Sequence, residues 1–173
     1  MSTDKAEAMP SSLPYQDSKP VGAADFYFAI NATFRFVLKR FGMQGLRDYW
    51  ADMGRDYFAP VAAQWRQGAG RAVATYWRDF FRAEPEAVVT VTEHTNRVEV
   101  EVHVCPAIRH LRANQREIVP SFCQHCFYVG DAMAGQAGMA LRVLGGNGSC
   151  RQTVYLNAAE APEQSPEAIE EAR

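Results

Sequence analysis

The hydrophobic period of this chain changes once, near residue 87, and that change constrains the fold more than any other feature. Before it, apolar residues recur at three- and four-residue steps: Phe26, Ile30, Phe34, Val37, Leu38 and Phe41 mark a helix over 24–41. Gly42 is placed to end it. Leu46, Tyr49, Trp50, Met53, Tyr57, Phe58, Val61 and Trp65 mark a second helix over 44–67, which Pro60 should kink or split near Tyr57. A third follows Gly68-Ala69-Gly70, over 71–82. Beyond residue 87 the period is two. Val89-Thr90-Val91-Thr92 and 98–105 alternate across a turn at Thr95-Asn96, and Pro106 stops the second strand. A helical turn over 107–112 and a loop over 113–119 lead to Pro120, which opens a helix ending near Gly138. Two last strands, 141–144 and 149–156, flank Gly145-Gly146-Asn147-Gly148. The order predicts an α+β fold, with N-terminal helices packed on a four-stranded antiparallel sheet and one further helix between the two hairpins.

The ordered domain is expected over 23–157. Residues 1–22, with three prolines, read as a flexible lead-in, and the acidic, proline-interrupted 158–173 as a flexible tail. Eighteen basic against 20 acidic residues, a net charge of −2, argue against a nucleic-acid surface. No run of 18 apolar residues predicts a membrane span, and the first residues lack the pattern of a secretory signal. A cytoplasmic chain keeps its thiols reduced, so cysteines there point to chemistry or metal before disulfides. The aromatic-rich helices predict apolar faces that a homodimer would cover.

All four cysteines and three of the four histidines fall between His103 and Cys150. Val98, Val100, Val102 and Val104 share one face of their strand, leaving Glu99, Glu101, His103 and Cys105 on the other. Cys123 and Cys126 share a helical face with His125 turned away, and Cys123 lies in the first turn, where a helix N-terminus stabilises a thiolate. Several chemistries fit this pattern. A zinc site would use Cys105, His110, Cys123 and Cys126 in the order C-x4-H-x12-C-x2-C. An iron–sulfur cluster would use Cys105, Cys123, Cys126 and Cys150. A nucleophile would be Cys123 or Cys105, with His110 or His125 as base and Asp131 orienting the base or activating water. Inert packing is the fourth reading, because free cysteine is often buried. Arg109 and Arg112, with Arg116 nearby, suit a substrate carboxylate. Gly145–Gly148 joins two strands, so it reads as a hairpin turn and not as a phosphate loop.

Cys105-Pro106, a basic turn with His110, then Pro120-x2-Cys123-x2-Cys126-x4-Asp131 and Gly148-Ser149-Cys150 resemble the L-2-amino-thiazoline-4-carboxylic acid hydrolase-like family. The resemblance implies a small α+β protein that opens a thiazoline ring, with Cys105, Cys123 and Asp131 as site residues. The helices-then-sheet order and the late cysteine are also similar to the 4-vinyl reductase type of small-molecule-binding domain, which implies a sensor or carrier, sometimes with zinc. The expectation is a hydrolase that opens a small carboxylated heterocycle through a cysteine nucleophile, without a cofactor. The alternative is a small-molecule-binding module with zinc or another metal at the Cys/His cluster.

Overall fold

The computed structural model describes residues 23–173; the lead-in expected over 1–22 lies outside the described residues. Helix α1 spans Phe26–Asp52 and turns sharply at Gly42, whose φ of 71° a residue with a side chain rarely adopts. A π-helical turn, Met53–Tyr57, leads into α2, Ala59–Ala83. The split near Tyr57 falls where the sequence places it. Its cause differs, because Pro60 sits in the first turn of α2, where its missing N–H costs nothing. A second break at Ala69, φ 46°, separates the two halves of α2.

Strand β1, Val88–Glu93, pairs with β2, Arg97–Val104. Helix α3, Pro106–Ala113, a 3-10 turn at Pro120–Cys123 and α4, Gln124–Gln136, separate this hairpin from β3, Ala140–Gly146, and β4, Ser149–Tyr155. The sheet is antiparallel throughout, in the order β1-β2-β4-β3. The fold is therefore the predicted α+β arrangement. Asn147 (φ 53°) and Gly148 (φ 112°) form the two-residue loop between β3 and β4, where positive φ matches the twist of the strands.

Val98, Val100 and Val102 are fully buried beneath α2 and α4. On the opposite face Glu99 pairs with Arg97, and Glu101 with Arg151. This first core also holds Trp65, Val73, Met133, Leu141 and Val154. A second core lies between α1, α3 and the 3-10 turn, built on Phe34, Leu46, Trp50, Ile108, Leu111 and Phe122. Asn31, buried in α1, donates to the Glu117 carbonyl at 2.9 Å and accepts from the Val119 N–H at 3.1 Å. It thereby fixes the loop that delivers Pro120 and Cys123.

One expectation is corrected here. Residues 158–173 are not a solvated tail but a strap over the protein. Gln164 hydrogen-bonds both the N–H and the carbonyl of Val143, the Glu170 N–H donates to the Gly145 carbonyl at 3.0 Å, and the Ala172 N–H donates to the Pro120 carbonyl at 2.9 Å. Ile169 and Ala172 are buried, at 2% and 4% exposure. Two apolar side chains and a row of backbone bonds outweigh the acidic composition around them.

Candidate functional site

The four cysteines come from three separate pieces of chain and all pack against the first core. Cys105 and Cys123 pack against both cores, Cys126 and Cys150 against the first. Cys105 is the residue between β2 and α3, with its N–H bonded to the Gly148 carbonyl at 2.8 Å. Cys150 stands on β4 opposite Val102 on one side and Gly145 on the other, on the core face of the sheet. Cys123 closes the 3-10 turn and Cys126 lies one turn further on, in α4. The β3–β4 loop touches two of them at once, because Asn147 donates its N–H to Cys123 Sγ at 3.3 Å while Gly148 holds the backbone of Cys105.

Each cysteine is free and half-buried, and its thiol is surrounded largely by apolar atoms. Burial pushes Cys105 up to about 11 and Cys123 and Cys126 up to about 12, with Cys150 raised as well. An ionised Cys126 would raise the other three further. The lowered, helix-stabilised thiolate expected at Cys123 is thus corrected, since desolvation exceeds the pull of the nearby N–H groups. Those N–H groups are nonetheless aimed at sulfur. Asn147 and Gly148 favour the thiolate of Cys123, and Ala107 and Ile108 that of Cys105, without closing a cap bond. Gln152, 3% exposed, aims its amide nitrogen at Cys150 Sγ from 3.9 Å, and its Oε1 has no hydrogen-bond partner among the described residues.

Two of the three acid–base candidates, His110 and Asp131, are engaged elsewhere. His110 Nε2 meets Asp25 Oδ1 at 3.1 Å, and its ring stacks near Phe28. Asp131 accepts from the Leu141 N–H at 2.8 Å and from Arg142 at 2.9 Å, lining a separate open cleft of about 560 Å³ with Glu163 and Gln164. His125 is enclosed by Phe34, Trp50 and Phe122. Its Nδ1 bonds the Phe122 carbonyl at 2.5 Å, which leaves Nε2 3.6 Å from Cys126 Sγ. Burial holds this imidazole below its usual pKa, so it is neutral. Of the predicted zinc set, His110 is paired with Asp25. No group of three or more His, Cys, Asp or Glu among the described residues is arranged to hold a metal ion.

A second open cleft, about 350 Å³, is lined by His103, Cys105, Arg109, Arg112, Asn147 and Ser149, among others. It brings Cys105 together with both predicted substrate arginines. Each already has partners: Arg109 pairs with Glu86 at 3.0 Å, and Arg112 donates to the carbonyls of Arg173 at 2.8 Å and Asn147 at 3.1 Å. Gln152, Asn147 and His103 are the site residues the sequence reading missed. The β alternation could have flagged Gln152, which shares the face of Cys150 and Val154 as a polar residue on a core face. Comparison of the chain with family models, curated proteins and solved structures finds no match.

Proposed function

We propose that the protein is a metal–thiolate module that assembles only when an ion draws Cys105, Cys123, Cys126 and Cys150 together, since as they stand no three of them are placed as ligands, with the cleft at Cys105 as the approach for a small molecule. The observation that carries this reading is the packing of four cysteines from three chain segments on one core. His110 and Asp131 are meanwhile engaged elsewhere, and the one imidazole beside a thiol, His125, is buried near Cys126. Four raised thiols are poor nucleophiles at neutral pH. They are good ligands, because a bound cation deprotonates thiols that burial alone keeps neutral. Backbone N–H groups and a glutamine amide aimed at sulfur then stabilise the thiolate charge once it forms.

The test is metal analysis of protein purified without chelator, beside a Cys126→Ser variant. The reading expects a transition metal bound to the wild type, lost from the variant and released by thiol alkylation. Metal-free wild type that takes up none when offered would overturn it.

One observation favours a second reading, the cysteine-dependent hydrolase. Cys105, Arg109 and Arg112 line one cleft with His103, whose Nε2 lies 3.2 Å from Thr90 Oγ1. In this reading the Cys105 sulfur adds to the ring carbon, a ring bond at that carbon breaks as its heteroatom takes the thiol proton through His103, water then displaces Cys105 and returns its proton, and the arginines hold the carboxylate. A Cys105→Ser variant that stays folded and loses turnover of a thiazoline carboxylate, in protein free of metal, would favour it over the first.

A further inference from the structure

We propose that the outer face of α1, from Phe26 to Arg40, is a docking surface for a second copy of this chain, which lies across it antiparallel. The helix has one face for its own core and another that the fold leaves unused. On the inner face Asn31 and Phe34 are buried, and Leu38 packs half-buried against the second core. On the outer face Phe26, Ala29, Thr33, Phe36 and Arg40 are all exposed, at successive steps of three, four, three and four residues. That spacing draws one stripe along a helix, the pattern of a coiled-coil seam. Phe26 is 69% and Phe36 64% exposed, so each ring leaves most of its apolar surface in water, which favours covering it.

Two properties of the stripe select a second copy of itself. The first is size. A large ring stands toward each end, with Ala29 and Thr33 between them. Antiparallel copies set Phe26 against Phe36 of the second copy, and Ala29 against Thr33, so the small residues let the helices approach while the rings pair on either side. The second is charge. The segment opens at Asp25, whose side chain is 83% exposed, and closes at Lys39-Arg40, which have no ion-pair partner among the described residues. Helical side chains lean toward the N-terminus, which brings Arg40 back to the level of Phe36. In the antiparallel pair that level holds Phe26 and Asp25 of the second copy, a ring face and a carboxylate that His110 engages through Oδ1 alone. Parallel copies would set Arg40 against Arg40.

The same charges disfavour an anionic membrane as the occupant, because Asp25 stands beside the rings and the whole chain carries a net charge of −2. Gly42, at φ 71°, turns the rest of α1 out of line and limits the seam to about 24 Å. A seam this short makes a dimer that dissociates on dilution. It involves none of the cysteines, so it stands apart from the metal–thiolate reading.

The experiment is sedimentation velocity on the full chain, from low to high micromolar concentration. The expected result is a sedimenting mass that moves from one chain to two as concentration rises. Phe36→Glu, at an exposed position, should keep its circular dichroism and remain one chain throughout. Arg40→Asp should lose the dimer as well. Adding Asp25→Arg to that chain should restore it, because the antiparallel pair brings those two ends together. A wild type that stays a monomer would overturn the proposal, and binding of that monomer to vesicles of anionic lipid, lost in Phe36→Glu, would give the face to a membrane. A dimer unaffected by Phe36→Glu lies on another face and overturns the proposal too. Failure of Asp25→Arg to restore the dimer would overturn the antiparallel arrangement.

Discussion

Asn147 donates its backbone N–H to Cys123 Sγ at 3.3 Å, although the two lie 24 positions apart. The contact is available because the two-residue loop holds Asn147 at φ 53°, which turns its N–H inward while its side chain receives Arg112 and the Arg173 N–H outside. Asn147→Gly keeps the conformation and the N–H but removes the side-chain acceptor. It should cost about 1 kcal/mol in denaturant unfolding, as lost hydrogen bonds do, and leave metal content unchanged. Asn147→Val forces a β-branched side chain into left-handed backbone, so it should cost more and lower metal content as well.

Most of the fold was legible because period and punctuation agreed along the chain. The helix break near Tyr57 and the Val98-Val100-Val102 face stand where the pattern put them, while the turn expected over 145–148 narrows to Asn147-Gly148 because β3 runs on through Gly146. The site was legible in composition but not in assignment. Spacing showed that Cys105, Cys123, Cys126 and Cys150 crowd together. It did not show that α3 turns His110 toward Asp25, or that α4 commits Asp131 to the β3 backbone. Those are tertiary contacts with no local signature. The strap was hidden for a related reason: Ile169 and Ala172 are too few to make a period, and their burial depends on a groove assembled from distant segments.

Two glycines should respond oppositely to the same change. A Cβ on Gly146 would stand 2.3 Å from the Glu170 carbonyl oxygen, at a φ of 150° that side chains rarely adopt. Gly146→Ala must therefore lift the strap, and it should destabilise by about 1–3 kcal/mol and speed alkylation of the cysteines in the metal-free protein. A Cβ on Gly135, in α4, meets nothing within 4 Å. Gly135→Ala should stabilise by about 0.5–1 kcal/mol, since alanine loses less backbone freedom in a helix. Urea midpoints for the two variants decide the matter, and equal shifts would mean the strap is not held as described.

Alkaline pH should weaken the metal-free protein. Cys105, Cys123 and Cys126 have folded-state pKa values of about 11 to 12 against an ordinary 9.0. Between those values the folded chain binds more protons than the unfolded chain, so stability falls as pH rises through the window. Their contribution is fully present below pH 9. Urea titrations at pH 8 and 10 should show the loss, and Cys126→Ala should make it smaller. The metal-loaded protein should not show it, because its thiols are already deprotonated. Loading with a zinc salt at pH 7 should instead release protons into a weakly buffered solution, and an unchanged pH on zinc uptake would contradict thiolate ligation.

On the acid side the same site should weaken for a different reason. His125 is packed among Phe34, Trp50 and Phe122, and burial lowers its pKa below the ordinary 6.5. Below that value the unfolded chain takes up a proton that the folded chain resists, so stability is lost as pH falls from 6.5 toward the folded-state value. The thiols contribute nothing here, being protonated in both states. Glu99, held below 4.5 chiefly by its bond to Arg97, acts only lower down. Across the interval between about pH 4.5 and 6.5, comparison with His125→Gln separates the buried imidazole from the other groups. In metal-free protein the urea midpoint should decline more steeply across that interval for the wild type than for His125→Gln. The glutamine variant should be the less stable of the two at pH 7, where the neutral imidazole keeps its bond to the Phe122 carbonyl. A decline that persists undiminished in the variant would assign the acid sensitivity to other groups and leave His125 a packing residue beside Cys126.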